Sequence, residues 1–445
     1  MNRIADKGKV VNDGEVEARF AAKNLTSIGG IKLFHKFTQK LGVEETLEQS
    51  VNLPRRDGKY KTGRVLVSLL YALVLDLNRL SDTALLHIDR VFQKLVGFDG
   101  YPHQSTFSRF LKLLSVPLAQ KIGETSVSLL GKVRNDFKGW IRLTLDLDSH
   151  VETVYGNQQR AKAGYNPRKP GRKSFHPLFC FIGETRDFLW GKFRPGNRYT
   201  GQGAVGFLKE CLRRLPCGIK EIFLRGDSGF FDNKFLSEAE KRKIRYAIAA
   251  KLYSTIQAML GGVSYRDIGG GIEVGEFRYQ GYQWEEARRM VVIREEIKEG
   301  AAKKKQPKLF ELKGYSYQVI VTNIEEWSPE EVWRFYNKRA CVENMIKEGM
   351  MGYGLDVAVS HYYGANVAHF FLVMLAYNLM NWFKEGVLGQ NKVKRMAKWI
   401  RERFFYIPGK LIKRGRKWVL NLWRDYPWQG EYQKAEGRLE ALTFP

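Results

Sequence analysis

The sequence predicts an α/β protein: a core of strands and helices interrupted by a β-rich insertion, with a helical region before it and a basic, helical region after it. Three observations carry this expectation. Apolar residues recur at helical spacing from about residue 30 to 135; a period-two pattern sets in at Trp140; and from there strand-like and helix-like stretches alternate to about residue 250.

The first region, residues 1–138, contains runs such as VLVSLLYALVLDLNRLSDTALLHI, broken at Gly63, Gly97 and Pro102, and reads as a helical N-terminal domain. Within it, YPHQSTFSRFLKLL from Tyr101 reads as a turn followed by a helix, with Ser105 as N-cap and Arg109 exposed. A recognition helix begins in the same way, so Arg109 is a candidate DNA contact; an ordinary capped helix is the alternative.

Residues 139–251 alternate more regularly. IRLTLDLDSHVETVYG is a strand pattern that sets Asp146 and Asp148 on one face. Two carboxylates there repel each other unless a cation or a base lies between them. SFHPLFCFIGETRDFLWGKFRPG, from Ser174, reads as two strands joined by a tight turn at Thr185 to Asp187. Then come a helix (AVGFLKECLRRL), a strand (EIFLR) running into GDSGFF, a helix (NKFLSEAEKRK) and a strand (RYAIAA). Three strands, helix, strand, helix, strand is the order of an RNase H-like core.

Residues 252–315 form a β-rich insertion, including the alternating GIEVGEFRYQGYQWEEARRMVVIR and a basic stretch, KEGAAKKKQPK, expected to be a flexible loop. The core resumes over 316–384 with the strand YSYQVIVTN and a helix from Ser328, where SPEE supplies an N-cap, an N1 proline and acidic first-turn residues. That helix is expected to run through YNKRACVENMIKEG. Steps of three, four and four then stack Tyr336, Arg339, Glu343 and Lys347 on one face. A solvated ion-pair ladder is the bland reading of that stretch. The remainder, 385–445, is basic and aromatic: Lys392 to Arg424 holds twelve basic residues against Glu402 and is read as DNA-wrapping or as amphipathic helices with a basic outer face.

Composition sets the partner class. Across 445 residues, 44% of them hydrophobic, Lys and Arg exceed Asp and Glu by 27, a balance expected of a protein that meets polyanions. Nucleic acid is the leading partner. Cys180, Cys211, Cys217 and Cys341 show neither CxxC pairing nor zinc spacing, so reduced, cytosolic thiols are expected. The N-terminus is charged throughout, unlike a secretory signal, and the apolar run HFFLVMLAYNLMNWF from His369 is too short and polar to cross a bilayer, so a soluble chain is expected.

Cleaving or transferring a phosphodiester at neutral pH calls for divalent metal, since two ions about 3.5 to 4 Å apart activate the attacking oxygen and stabilise the leaving one. A strand-borne Asp148 or Asp146, an aspartate ending a neighbouring strand, Asp227, and a helix-borne Glu343 would supply the carboxylates. GNQQRAKAGYNPRKPGRK, Gly156 to Lys173, adds Arg160, Lys162, Arg168, Lys169, Arg172 and Lys173 with no acid, as a basic loop directly after the first acidic strand. A loop so basic beside an acidic site fits phosphate lying between them.

The quoted elements LDLDSH, GYNP, HPLF, RPGN, LRGDSGFF and YNKRACVENMIK resemble those of bacterial insertion-sequence transposases of the DDE group 1 family. The resemblance implies an aspartate-aspartate-glutamate triad on an RNase H-like fold, binding two magnesium ions for which manganese substitutes. It implies cut-and-paste transposition on double-stranded inverted-repeat ends and target DNA, by a homodimer in the bacterial cytoplasm at the nucleoid, with hairpin ends as an intermediate. Tyr336, Arg339 and Glu343 match the family's tyrosine-arginine-glutamate-lysine signature, whereas Met350 stands at its lysine position and makes Lys347 the substitute. The family's first acid is followed two residues later by threonine; here Asp148, Ser149 and His150 stand in that spacing, so Asp148 is preferred and Asp146 kept as a candidate. The resemblance also implies a base-stacking tryptophan in the insertion, for which Trp284 is the candidate, with core packing as its alternative. A structure-selective nuclease on the same fold and a non-catalytic, domesticated DNA-binding protein are the competing functions.

Overall fold

Helices build the first part of the chain. The computed structural model describes residues 20–53, 58–135, 139–216, 218–297 and 314–445, with short strands at Ala5–Asp6, Lys9–Val10 and Phe310–Leu312. Helices α1 (Thr62–Val74) and α2 (Val116–Val133) are its main apolar elements. The helix expected after Tyr101 runs Gln104–Leu113, but its N-cap is His103, whose ring accepts the Ser105 N–H at 3.3 Å. Ser105 therefore lies inside the helix rather than capping it. Arg109 lies exposed on that helix.

A ten-stranded mixed sheet follows. At its heart is β1 (Arg142–Ser149), with β2 (Leu178–Ile182) antiparallel beside it and β3 (Phe188–Lys192) antiparallel beyond. The β2–β3 turn falls where the sequence places it, with Arg186 taking φ 65°. On the other side β4 (Glu221–Gly226) runs parallel to β1, and β5 (Arg245–Ala249) parallel to β4. The crossovers are α3 (Ala204–Leu212) and α4 (Asn233–Lys241). From one edge the order is thus β3-β2-β1-β4-β5.

The β-rich segment does not stand apart. Its strands β6 (Ile272–Tyr279) and β7 (Arg288–Glu296), with β8 (Tyr315–Thr322), extend the same sheet, β8 pairing antiparallel with β5, β7 with β8 and β6 with β7. A free edge at β5 would present unpaired N–H and C=O groups, and β8 satisfies them. Val274, Val291, Ile293 and Ile320 form a buried patch on this extension with Val332 and Phe335 of α5 (Pro329–Asn337). Most of the basic stretch around Lys303 lies outside the described residues.

Two helices close the core: α6 (Ala340–Tyr353) and α7 (Tyr363–Phe383). All of α7 except Gly364 is buried, which is what a helix apolar all round requires. It packs on α1, α2 and β3, so one apolar core joins the helices before the sheet to those after it. The packing is close: a Cβ on Gly123 of α2 would stand 2.6 Å from Phe371 and from Trp190. The Asn378 amide caps the sheet edge, accepting from the Phe188 N–H and donating to the Phe188 C=O, both at 2.8 Å. No helix among the described residues is long and apolar enough to cross a membrane.

The C-terminal region departs from the helical expectation. Between short helical turns and the final helix Gln429–Ala441, strands β9 (Gly409–Arg414) and β10 (Lys417–Leu422) form an antiparallel hairpin. The alternation in KLIKRGRKWVLNL around a central glycine was the legible signal: Leu411, Val419 and their neighbours alternate with polar residues, and Gly415 adopts φ 58° at the turn.

Candidate active site

Two neighbouring parallel strands deliver the first pair of acids. Arg225 of β4 stands opposite Asp146 of β1, and continuing that register by two residues brings Asp227 alongside Asp148. Asp148 is 6% exposed; one of its oxygens accepts the Ser149 N–H at 2.9 Å and the other accepts from Arg339 Nη1 at 3.2 Å. Asp227 leaves β4 and caps the turn Ser228–Phe230, accepting the Gly229 N–H at 2.9 Å.

The stretch from Tyr336 to Lys347 is two helices rather than one. Around Arg339 the bonds tighten to three-residue spacing, Arg339 N–H to Tyr336 O, Cys341 N–H to Lys338 O and Val342 N–H to Arg339 O, so α5 ends and α6 begins there. The break turns Tyr336 into the patch beneath α5, where it is 7% exposed, instead of leaving it on a shared face. Arg339 caps α6 and its buried guanidinium reaches Asp148 and, at 3.3 Å, Glu343. Burial alone would lower its pKa, but Asp148, Tyr336 and Asp227 together raise it, so the charge is held firmly. The Glu343 side chain is 66% exposed, and Lys347 is exposed one turn on.

Asp146 belongs to a different arrangement. Both of its oxygens accept from Arg225, at 2.6 and 2.7 Å, and Arg225 donates further to the Phe335 carbonyl at 3.0 Å. Burial pushes the Asp146 carboxyl up while Arg225 draws it down. The face that sequence reasoning required to hold a cation thus holds two arginines, Arg225 for Asp146 and Arg339 for Asp148.

Among the described residues, no three of His, Cys, Asp and Glu stand together so as to hold a metal ion. Asp148 and Asp227 are the hard oxygen donors that magnesium takes. Glu343 is tied to Asp148 through Arg339 rather than gathered with both aspartates, so the donor chemistry fits a divalent cation while the three acids do not form one closed cage.

Residues behind the acids escaped the sequence reading as functional candidates. His176 bonds the Arg198 carbonyl through Nδ1 at 2.6 Å and Ser149 Oγ through Nε2 at 3.1 Å, and Ser149 in turn meets Thr200 Oγ1 at 2.9 Å. Burial lowers the His176 pKa, partly opposed by the Arg198 carbonyl and Asp227. Arg194 donates to the His176 carbonyl at 2.9 Å and to the Gln202 carbonyl at 2.8 Å. The stretches HPLF and RPGN therefore brace the Asp148 strand; polar residues set into apolar runs were the available signal.

The basic stretch after β1 is folded. Glu152–Thr153, Lys162–Ala163 and Lys173–Phe175 pair into a small three-stranded sheet, anchored where Gln159 N–H meets the His361 carbonyl and where Arg160 stacks 4.9 Å from Tyr363. Arg160, Lys162, Arg168, Lys169, Arg172 and Lys173 are all exposed on it. A cleft of about 430 Å³ beside it is lined by His150, Glu152, Tyr155, Arg168, Lys169 and Asp356. Trp284 sits in the β6–β7 turn, not on a strand, half-buried with its ring centroid 5.7 Å from Phe231 and 5.6 Å from Tyr279, and Arg288 4.5 Å over it. Phe231 lies four residues beyond Asp227, so Trp284 packs against the loop that carries Asp227.

The family described as transposase DDE domain group 1 matches residues 8–444. Comparison with curated proteins returns no match. Among solved structures, the chain is similar to one of a piggyBac transposase synaptic complex with hairpin DNA, at 12% identity and a TM-score of 0.45, over 85% of this chain and 79% of that one.

Proposed function

The chain belongs to the transposase DDE domain group 1 family, and from that membership we propose that it binds the inverted-repeat ends of a mobile DNA element, nicks them with water and transfers the freed 3′ hydroxyl to target DNA. The observation that carries the site assignment is the convergence of Asp148 and Arg339, beside Asp227 and with Glu343 one turn along α6. In this reading the order β3-β2-β1-β4-β5, with its strand directions, is an RNase H-like core. Asp148, Asp227 and Glu343 would hold divalent cations, magnesium or manganese, which would activate the attacking oxygen and stabilise the leaving one. We take Asp148 as the first acid because both oxygens of Asp146 are committed to Arg225.

The protein's own residues have distinct tasks. Arg339 bridges Asp148 and Glu343, holding them in position, and presents its guanidinium to a phosphate flanking the scissile bond. Tyr336 and Asp148 fix the orientation of Arg339 from either side. Lys347, on the exposed face, contacts phosphate further along, and the folded basic sheet with its cleft guides the duplex. Cutting two ends in concert requires two copies of the chain, and excision through hairpin ends is part of the same reading.

Gel-shift and magnesium-dependent nicking assays on the element's own ends test it. Asp148→Ala, Asp227→Ala and Glu343→Ala are each expected to abolish nicking, a loss of at least about 10³-fold, while retaining end binding, since metal ligands stabilise the transition state rather than hold the duplex. Full nicking by any of the three removes that residue from the site.

A further inference from the structure

The hairpin of β9 and β10 lies outside the catalytic site. Residues 409–424 hold six cations, Lys410, Lys413, Arg414, Arg416, Lys417 and Arg424, and no acid. All six are exposed, and none forms an ion pair among the described residues. Elsewhere many of the protein's arginines are committed to carboxylates, as with Arg225, Arg288 and Arg339. Trp418 and Trp423 are 47% and 50% exposed, and Lys94 sits 3.3 Å over the Trp418 ring.

The hairpin is fixed by backbone pairing at its base and touched by Lys94 at Trp418, while its turn is exposed. The strand Leu25–Thr26 pairs only with Gly409 and Lys410, the Leu411 N–H reaches the Asn24 carbonyl at 2.9 Å, and the Trp423 N–H reaches the Pro408 carbonyl at 2.9 Å. From Ile412 to Val419 the backbone pairing is between these two strands, and Lys94 over the Trp418 ring ties them to the helix Arg90–Leu95. Six residues of strand span about 20 Å, so the exposed turn Arg414-Gly415-Arg416-Lys417 lies a full strand length from the base. Cations on an exposed strand edge also discourage edge-to-edge pairing. That role asks for one or two lysines along the edge; here arginines crowd the turn itself, which has no edge to protect.

We propose that this hairpin is a DNA-binding arm whose Arg414-Gly415-Arg416 tip enters the minor groove of an A·T-rich stretch of duplex, outside the catalytic site. The proposal rests on the reading of the chain as a DNA transposase. Gly415, at φ 58°, makes the turn narrow and brings no side chain to the groove floor. The minor groove is only about 6 Å wide, and in A-tracts it is narrower still, with a negative potential that draws arginine in. The lysines along the strands lie beside the phosphate backbones, and the exposed tryptophans flank the sugar edges.

Fluorescence anisotropy with the full chain and two duplexes of about 20 base pairs, one containing an A-tract and one G·C-rich, tests this across a salt series. The wild type is expected to favour the A-tract duplex by about tenfold or more, and netropsin, which fills the A·T minor groove, to displace it. Arg414→Ala with Arg416→Ala is expected to abolish the preference and reduce the slope of log K against log salt by about 1.8, at about 0.9 for each phosphate no longer neutralised, with thermal unfolding unchanged. Arg414→Lys with Arg416→Lys is expected to keep the slope and lose the preference. Wild-type binding without preference, or a double alanine variant that retains both preference and slope, overturns the arm while leaving the transposase reading intact. A wild type that binds neither duplex at low salt overturns that reading and the arm with it.

Discussion

Arg225 and Arg339 bring the same charge to the same face of one strand, yet their surroundings give them different work. Arg225 is buried between Asp146 and a backbone carbonyl, with every strong bond directed inward. Arg339 joins a buried carboxylate to an exposed one, so part of its partner set faces solvent. Breaking a buried pair by removing one partner leaves a desolvated charge, which costs about 3 to 5 kcal/mol, whereas replacing both with apolar groups is close to neutral. Urea unfolding of Asp146→Leu and Arg225→Met is therefore expected to show large single losses, with the double variant recovering most of them. Asp148→Asn leaves Arg339 with Glu343 as a carboxylate partner, so it is expected to lower the unfolding midpoint by less than Asp146→Leu while eliminating nicking. A stability loss from Asp148→Asn as large as from Asp146→Leu would make Asp148 a structural residue as well.

At the scale of elements, the placing of α6 depends on its two ends. Its N-terminus is set by the break at Arg339, and its C-terminus by Gly354, which takes φ 68° and whose carbonyl accepts from His369 Nε2 of α7 at 2.9 Å. That bond needs a proton on Nε2, which the neutral ring and the imidazolium can both supply, so it is burial that keeps the ring neutral. Burial lowers the His369 pKa from 6.5 to about 4, the Gly354 carbonyl opposing the shift. A histidine whose folded pKa is depressed stabilises fully above its unfolded value and loses that contribution as pH falls through the folded one. Between about pH 6.5 and 4 the unfolded chain takes up a proton that the folded chain refuses, an effect on the order of 3 kcal/mol. Urea midpoints are expected to fall across that window, and His369→Gln, which keeps an N–H donor but does not titrate, to show a shallower fall. Equal slopes for the two proteins would mean that other groups, such as His35 and His150, whose pKa values burial also lowers to about 4, carry the acid sensitivity.

For the whole molecule, the excess of 27 positive charges is uneven in its availability. Many arginines are paired inside or on the sheet, while the small basic sheet after β1 leaves Arg168, Lys169, Arg172 and Lys173 exposed. Changing these four to alanine is expected to lower the salt slope of DNA binding by up to about 3.6, at about 0.9 for each phosphate no longer neutralised. The difference shows in binding isotherms between about 50 and 200 mM salt. An unchanged slope would make the cations of that sheet merely solvated. Because the sheet is pinned to α7 and the segment before it through Arg160 and Gln159, neutralising its outer face is expected to leave thermal unfolding unaltered.

The sequence alone determined what is local and periodic. The alternation of LTLDLDS placed β1, the β2–β3 turn and the two crossovers fell where their patterns put them, and SPEE marked the start of α5. It also singled out Asp148, Asp227, Arg339 and Glu343 as candidates, because the proposed chemistry calls for those residue types on strand and helix ends. The tertiary structure decided what depends on partners distant in the chain. Asp146 and Asp148 look alike along one strand, and only the register of β4 gives Asp146 to Arg225, 79 residues away. A ladder at three- and four-residue spacing promised one helix, but burying Phe335 and Tyr336 against the sheet extension and Arg339 against Asp148 requires two directions, and the backbone breaks between them. The segment after β5 joined the sheet because an open edge must be satisfied, and the C-terminal hairpin, local in its own pairing, is fixed at its base by Leu25–Thr26 from the other end of the chain. Periodicity records how each segment divides its faces; which surface each face meets is settled only when the whole core forms.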